Sequence, residues 1–459
     1  MAKAKKLTKP AAKAGLSVFD GVMMLVGIVV GIGIFKTPTL VAANADSGAS
    51  FIGLWVLGGF IALVGALCYA ELGSSHPNSG GEYHFLSKAY GEKLGMLFGW
   101  ARCTIIQPGA IAAVAFVYGE YLSEVINLGR YSFALHGALA VVVLTVINLL
   151  GLREASWTQN VFALLAISAL VLVVLAALYV GPQPSTALAA KPLSTPFAAA
   201  GFAMVFILLT FGGWNESSYL SGELRDVKRK MAPTLIWSIL IITTLYVLVN
   251  LGYLWTFGLQ GLRDSTALGA DLMRLAAGSG GAIVLSLMIT ATALSTLNAT
   301  IFTGARGYQA LGQDLPWLGY LSEWRGDKPA NALLTQSALA LILIGFGALA
   351  RDGFETMTGY TAPAFWGFLF LVGVSVYVFR SRGDVAKDGF KVPLYPVLPA
   401  IFCASCAWMC WSGINYAYFL WSKSGYGIAG IGAILGILVM IAGIPLVLLT
   451  KTKRKPAKR

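Results

Sequence analysis

The sequence predicts an all-α integral membrane protein of twelve transmembrane helices. Three observations predict it: a charge-poor, apolar composition, a series of apolar runs of spanning length, and a lopsided placement of Lys and Arg between those runs. Of 459 residues, 57% are hydrophobic and only 12% charged, about half the roughly 25% charge of a soluble domain. A water-facing surface of this composition would be under-charged, whereas lipid accepts an apolar surface. A spanning helix needs about 20 apolar residues. The runs fall at 18–43, 51–73, 94–123, 134–151, 158–180, 197–220, 233–258, 280–304, 331–350, 356–379, 395–419 and 428–450.

An even count puts both termini on one side. With that side cytoplasmic, Lys36, Arg130, Lys191, Arg263, Arg274, Arg351 and Lys423 fall outside, and the remaining 26 of the 33 Lys and Arg fall inside, as the positive-inside rule requires. The organisation that follows is a basic cytoplasmic tail at 1–14, five spans in 15–180, an external loop at 181–196, five spans in 197–380, two more in 381–450, and a second basic tail at 451–459. The N-terminal segment lacks a signal-peptide cleavage pattern and reads as the first basic tail; the chain is expected to be a multi-pass protein of a plasma membrane, a bacterial inner membrane.

The net charge of +13 sits in tails and loops, with no basic face interleaved with aromatics, which argues against nucleic-acid binding. The basic tails read as setting topology and touching anionic membrane lipid. Cys68, Cys103, Cys403, Cys406 and Cys410 all lie in apolar runs and read as small buried hydrophobes, not as a disulfide framework. His76, His84 and His136 are too scattered for a metal site, and the first two read as loop residues; no metal or cofactor is expected. No H-E-x-x-H motif points to a membrane protease, and nothing suggests the charged or carbonyl rings of a channel. An enzyme is not expected. The glycosylation patterns at Asn215 and Asn298 fall at membrane depth and are discounted.

Two runs are interrupted by glycine at corresponding places. The first contains Gly27, Gly31 and Gly33; the sixth reads Leu209-Thr210-Phe211-Gly212-Gly213-Trp214-Asn215-Glu216. A glycine inside a helix costs about 1 kcal/mol relative to alanine, and unwound backbone at membrane depth needs protein or a water-lined cavity beside it. Close helix packing is the competing explanation. Paired interruptions, one per half, mark binding sites in secondary transporters. A half-helix starting near Gly33 presents free N–H groups that suit a carboxylate. Half-helices ending near Val29 or Phe211 present carbonyls that suit an ammonium group. A zwitterionic amino acid carries both. Spans 1–5 and 6–10 each contain an odd number of helices, so the second set is inverted relative to the first.

Among ionisable groups, Glu216 at the sixth-run break reads either as a proton-coupling group, or partner of a cationic substrate, or as a structural anchor. Glu71 and Glu223, near cytoplasmic helix ends, read as inner-gate ion pairs with Arg102, Arg225 or Arg306. Glu120 reads as interfacial. Thr290, Thr292, Ser295, Thr296, Asn298 and Thr300 give the eighth run a polar face that suits either helix packing or a sodium site in which Ser295 and Thr296 would take part.

Four stretches carry a resemblance. Gly31-Ile32-Gly33-Ile34-Phe35, Tyr69-Ala70-Glu71 followed by Pro77 to Tyr83, Phe211-Gly212-Gly213-Trp214-Asn215, and Asn298 to Arg306 together resemble the amino acid–polyamine–organocation superfamily, close to L-type and cationic amino acid transporters and their bacterial relatives. The resemblance implies a leucine-transporter-like fold: a 5+5 inverted repeat with discontinuous helices 1 and 6, plus helices 11 and 12. It implies secondary active transport of amino acids by alternating access, as proton-coupled symport or exchange, with polyamine transport or sodium coupling as alternatives. Carried over by position, the backbone of Ile32, Gly33 and Ile34 holds the carboxylate, and the carbonyls of Ile28, Val29, Leu209 and Phe211 face the amino group; Gly31, Thr210, Gly212 and Asn215 complete the substrate-binding set. Ile32 replaces the family's usual Ser or Thr, and Leu209 replaces a gating aromatic, which leaves Phe206 or Trp214 as gates. Ala166 stands where several sodium-independent relatives carry lysine. The turn from Asn127 to Tyr131 has no cysteine, so no disulfide-linked heavy chain is expected.

Overall fold

The apolar runs fold as helices because, in lipid, backbone amides and carbonyls must find partners within the protein. The structure, a computed structural model, describes residues 18–78, 80–151, 156–183, 196–215, 227–323, 329–350, 352–423 and 428–450. In chain order the helices are α1 (Val18–Val29) and α2 (Gly33–Ala43), which divide the first run; α3 (Gly48–Ser75); the short α4 (Gly81–Tyr90); α5 (Glu92–Ala101) and α6 (Gln107–Ser123), joined by a π-helical turn at Arg102–Ile106; α7 (Ser132–Leu150); α8 (Ser156–Val180); α9 (Pro196–Thr210); α10 (Val227–Asp264); α11 (Leu268–Asp314); α12 (Ala330–Gly347); α13 (Gly353–Ser381); α14 (Val397–Lys423); and α15 (Ile428–Leu449). Ten helical segments among the described residues are long and apolar enough to cross a membrane, and none of the described residues is in a strand. The first and sixth runs are not among the ten. The first is split in two, and the sixth leaves the helix after Thr210. Glu216 and Glu223 lie outside the described residues.

Local chemistry sets the helix ends. Ser47 and Ser50 exchange backbone-to-hydroxyl bonds of 3.1 Å in both directions at the start of α3, a reciprocal cap. The Asp352 carboxylate accepts the Glu355 amide at 2.9 Å at the start of α13. Two helices run past the predicted limits: α10 bends at Gly258 and continues to Asp264, and α11 bends at Ala277–Gly278 and continues to Asp314. His84 is in α4 rather than in a loop, and His76 is the buried C-terminal residue capping α3.

The π-helical turn has a sequence cause. Pro108 has no N–H, so the carbonyl four residues earlier loses its helical donor. That carbonyl, on Thr104, accepts from Tyr360 at 2.9 Å, and the Cys103 carbonyl accepts from Tyr308. Two tyrosines from α13 and α11 thus satisfy the loosened ladder.

Helices far apart in the sequence touch: α2 packs on α9, α3 on α10, α6 on α11 and α7 on α12. Their contacts bury Trp55, Phe35, Phe116, Phe206, Tyr121 and Tyr246. The outward surface is apolar, with Leu164, Leu178, Trp237 and Ile342 more than half exposed, as a lipid-facing surface requires.

Candidate functional site

The first interruption occupies Val30 to Ile32. The Val30 amide closes α1 on the Val26 carbonyl, and the Gly31 amide turns back to the Val29 carbonyl at 2.8 Å. α2 then starts at Gly33 with no side-chain cap. The amides of Ile32, Gly33 and Ile34 head this helix, where no preceding turn supplies carbonyls and the helix dipole leaves partial positive charge. Ile32 and Ile34 bury their side chains, so only their backbone can serve the break.

The glycines divide by role. A Cβ on Gly27 would lie 3.1 Å from Ala163, so Gly27 packs α1 against α8. A Cβ on Gly33 would lie 3.1 Å from the Thr210 hydroxyl and 3.2 Å from its Cα. Gly33 is therefore what lets α2 approach the end of α9. At Gly31 a Cβ would meet, among the described residues, only the Val29 carbonyl, at 3.8 Å. Gly31 borders open space.

The second interruption faces the first. Phe211 still bonds back to Ile207, but the Gly212 amide tightens onto Leu209, 2.9 Å away. Gly213 then takes φ +110°, a conformation L side chains rarely adopt. Thr37 and Thr210 join the two broken helices through hydroxyls 2.7 Å apart. Tyr246 of α10 donates to the Val29 carbonyl at 2.9 Å, with the Thr210 carbonyl 3.2 Å away. One phenol thus lies against the ends of both α1 and α9. Its ring is held by edge contacts from Trp55 and Phe211. With Gly31 and Tyr246 both bonded to it, the Val29 carbonyl has its two lone pairs filled; the Leu209 carbonyl accepts the Gly212 amide. Ile28 is in the last turn of α1.

Asn215 leads to a residue that sequence reasoning missed. Its amide nitrogen is 3.1 Å from Glu82, whose carboxylate also accepts the Tyr69 hydroxyl at 2.7 Å and lies 3.5 Å from Arg102. Glu82 is buried. It ties the second interruption to α3, α4 and the π-helical turn. The signal was a carboxylate at the variable position between Gly81 and Tyr83.

The predicted gates separate. Phe206 is buried between Phe202 and Phe354 of α13. Trp214 points its ring at Tyr69 and Phe402, wedged between α3 and α14. Glu71 is buried in an ion pair, but its partner is Arg380 rather than Arg102, Arg225 or Arg306: the guanidinium makes bonds of 2.7 and 2.6 Å to its two oxygens, and the Val392 amide adds one of 2.6 Å. Among the described residues it is Arg380, near the end of α13, that aligns its planar fork with that carboxylate.

Glu120 is half-buried, three residues from the end of α6. It meets Lys36 at 2.9 Å, and Lys36 meets Asp352 at 2.8 Å. The lysine is 6% exposed. α2, α6 and α13 converge there because the Phe35 carbonyl accepts the Tyr121 hydroxyl, one residue along on each helix.

On α11 the hydroxyls of Thr292, Thr296 and Thr300 each return to the carbonyl four residues earlier. Asn298 accepts from Asn148 of α7 at 2.7 Å. Ser295 and Ala166 are buried. Among the described residues no cluster of three or more His, Cys, Asp or Glu is arranged to hold a metal.

Comparison with known proteins gives one family: the sequence model described as "Amino acid permease" matches residues 16–442. The chain is 28% identical to the human b(0,+)-type amino acid transporter 1 over 400 residues, covering 84% of this chain and 80% of that protein. It is 26% identical to the serine/threonine exchanger SteT of Bacillus subtilis, covering 85% and 89%. It is also 26% identical to the human large neutral amino acids transporter small subunit 2, covering 95% and 80%.

Proposed function

Because the chain belongs to the amino acid permease family, we propose that it carries an α-amino acid across the membrane by alternating access, as an exchanger or a proton-coupled symporter. The observation that carries this is the meeting of two interrupted helices: Gly33 against Thr210, Thr37 bonded to Thr210, and open space at Gly31. The amides of Ile32, Gly33 and Ile34 take the carboxylate. The ammonium group goes to carbonyls of Ile28, Leu209 and Phe211, because Tyr246 and Gly31 already occupy that of Val29. Leu209, half-buried at the break, lines a pocket for a neutral or small side chain.

The fold proposed is twelve spans in a leucine-transporter-like 5+5 inverted repeat, with both termini cytoplasmic, in a plasma membrane. Contacts between α2 and α9, α3 and α10, α6 and α11, and α7 and α12 support the repeat, because symmetry-related helices meet at its axis. Phe206 against Phe354 forms the outer gate, Glu71 with Arg380 the inner one, and Trp214 anchors the lower part of helix 6. The back-bonded hydroxyls of Thr292, Thr296 and Thr300 favour packing over sodium at Thr296, while the buried Thr290 hydroxyl has no partner among the described residues and Ser295 stays proposed for a sodium site. Glu216 remains proposed as a coupling group or a partner of cationic substrates. None of the five cysteines lies in the turn from Asn127 to Tyr131, which supports transport without a disulfide-linked heavy chain.

Purified protein in liposomes tests this reading. Amino acids are screened for thermal stabilisation and then for uptake, with internal amino acid alone or with an imposed proton or sodium gradient. Uptake that needs internal amino acid marks exchange. No stabilisation and no uptake with any α-amino acid overturns the reading. Two variants locate the site. Gly31→Ala should fold normally and bind substrate at least about tenfold more weakly, since a methyl there enters the open space and every 1.4 kcal/mol is tenfold. Gly33→Ala should instead destabilise the protein, by about 1–3 kcal/mol from overpacking against Thr210, and Thr210→Ala should relieve it. Equal binding by wild type and Gly31→Ala would move the site elsewhere.

A further inference from the structure

We propose that Glu120 is a proton-binding site, governed by Lys36 and Asp352, that couples proton movement to the parting of α2 from α6 and α13. The geometry distinguishes the two carboxylates. Asp352 has both oxygens engaged: one bonds Lys36 at 2.8 Å, and the other accepts the Glu355 amide at 2.9 Å as the cap of α13. A capping carboxylate is held ionised by the amides it accepts and by the helix dipole. Glu120 has one oxygen on Lys36 at 2.9 Å, while its second, Oε2, is buried with no hydrogen-bond partner among the described residues. An orphaned carboxylate oxygen in such a place is costly, and a proton on it removes the cost.

The surroundings leave the charge uncompensated. α2 brings Lys36 and α13 brings Asp352. From α11 come Asp271 and Arg274, but Arg274 is already paired with Asp271 and Glu124 at 2.6 Å each. α7 brings His136, whose ring is 2.8 Å from the Ile126 carbonyl, and α12 carries no ionisable side chain. Among the described residues, two carboxylates, Glu120 and Asp352, therefore meet one ammonium group. A proton from water adds to Glu120 Oε2 and leaves a neutral assembly of Glu120 acid with the Lys36–Asp352 pair. Its loss restores the excess negative charge, which favours separation of the helices and entry of water. Lys36 is three residues beyond Gly33 on the same helix, so movement of α2 is movement of the proposed carboxylate-binding amides.

The coupling consequence rests on the transporter reading, but proton binding does not, and the experiment separates them. Infrared difference spectra of the full-length protein in lipid, between pH 5 and pH 8, are expected to show a protonated-carboxyl band. Glu120→Gln should abolish it, and Asp352→Asn, which leaves one carboxylate on Lys36, should move its appearance to lower pH. Lys36→Met should move the band's appearance to higher pH, which provides a second readout if Glu120→Gln fails to fold. Sodium chloride in place of choline chloride should leave the midpoint unchanged. A band that survives Glu120→Gln, or that Lys36→Met leaves in place on the pH scale, overturns the proposal; so does a midpoint that follows sodium. In liposomes, proton-driven uptake by Glu120→Gln should fall to the level without a gradient, while exchange persists. A wild type that shows the band but transports no amino acid would sink the transport reading and leave the proton site standing.

Discussion

Both ends of the helix bundle are closed by buried ion pairs, and the two are built to opposite rules. At one end, Glu71 has one oxygen bonded by the Arg380 guanidinium and the other by both Arg380 and the Val392 amide, and Arg380 also covers the Tyr395 ring at 4.0 Å. Charges balance and both oxygens have donors. At the other end, among the described residues, one ammonium serves two carboxylates, and one oxygen is left over. A balanced pair fixes helices whose separation would expose two charges. An unbalanced cluster makes closure depend on something added from outside. The difference teaches that similar burial and similar distances can produce a clasp at one end and a switch at the other.

The strongest way to break this comparison is Arg380→Met. Removing one partner of a buried pair costs about 3–5 kcal/mol, so the thermal unfolding temperature should fall sharply at pH 8. An unchanged melting temperature would deny Glu71 and Arg380 their role. Lys36→Met should cost a similar amount at pH 8 but recover most of it at pH 5. There two carboxylates are left facing each other, and a proton on Glu120 relieves them. Stability is thus present in acid and lost as pH rises; a pH-independent loss would make both ends clasps. Tyr246→Phe tests the middle. It removes a buried hydroxyl that bonds the Val29 carbonyl and lies within reach of that of Thr210, for a loss of about 1–3 kcal/mol in unfolding measurements. An unaltered protein would mean the two broken helices are held apart from Tyr246. The smallest effect belongs to Asp384→Asn. Asp384 pairs with Lys88 at 3.0 Å with both side chains well exposed, and an exposed pair contributes less than about 1 kcal/mol. The hydrogen bond from Lys88 holds the Asp384 carboxyl below the usual carboxylate range. Its contribution is present near neutrality, disappears as pH falls through the acid range, and is screened by salt.

How legible each part was depends on whether its signal was local. The interruptions could be read because glycine acts on the backbone where it stands, and the helix breaks at Val30 to Ile32 and after Thr210. The family resemblance was legible for the same reason, since its motifs are contiguous. Gly27 and Gly31 were not separable in sequence, because only the neighbour they face, Ala163 or open space, assigns their roles. Lys36 and Glu120 are 84 positions apart, and Glu71 and Arg380 are 309 apart; no periodicity reports such pairings. Taken singly, Glu120 near a helix end reads as interfacial, and Glu71 reads as paired with an arginine other than Arg380. Tyr246 was hidden among many aromatics, and its role comes from the two carbonyls that converge on it. Glu82 was hidden inside a motif whose glycines drew the attention. Glu216 and Glu223 lie outside the described residues.

The π-helical turn before Pro108 has a rotational consequence. An α-helix advances about 100° per residue, and a π-bulge spends one extra residue without completing extra rise. Everything from Gln107 onward is therefore turned by about that angle relative to an unbroken helix running on from α5. Glu120 lies on the far side of this offset and Arg102 at its start. The bulge acts as a phase shifter. It allows one continuous span to aim Arg102 at Glu82 near one end and Glu120 at Lys36 near the other, two directions that a regular screw of this length would not offer together.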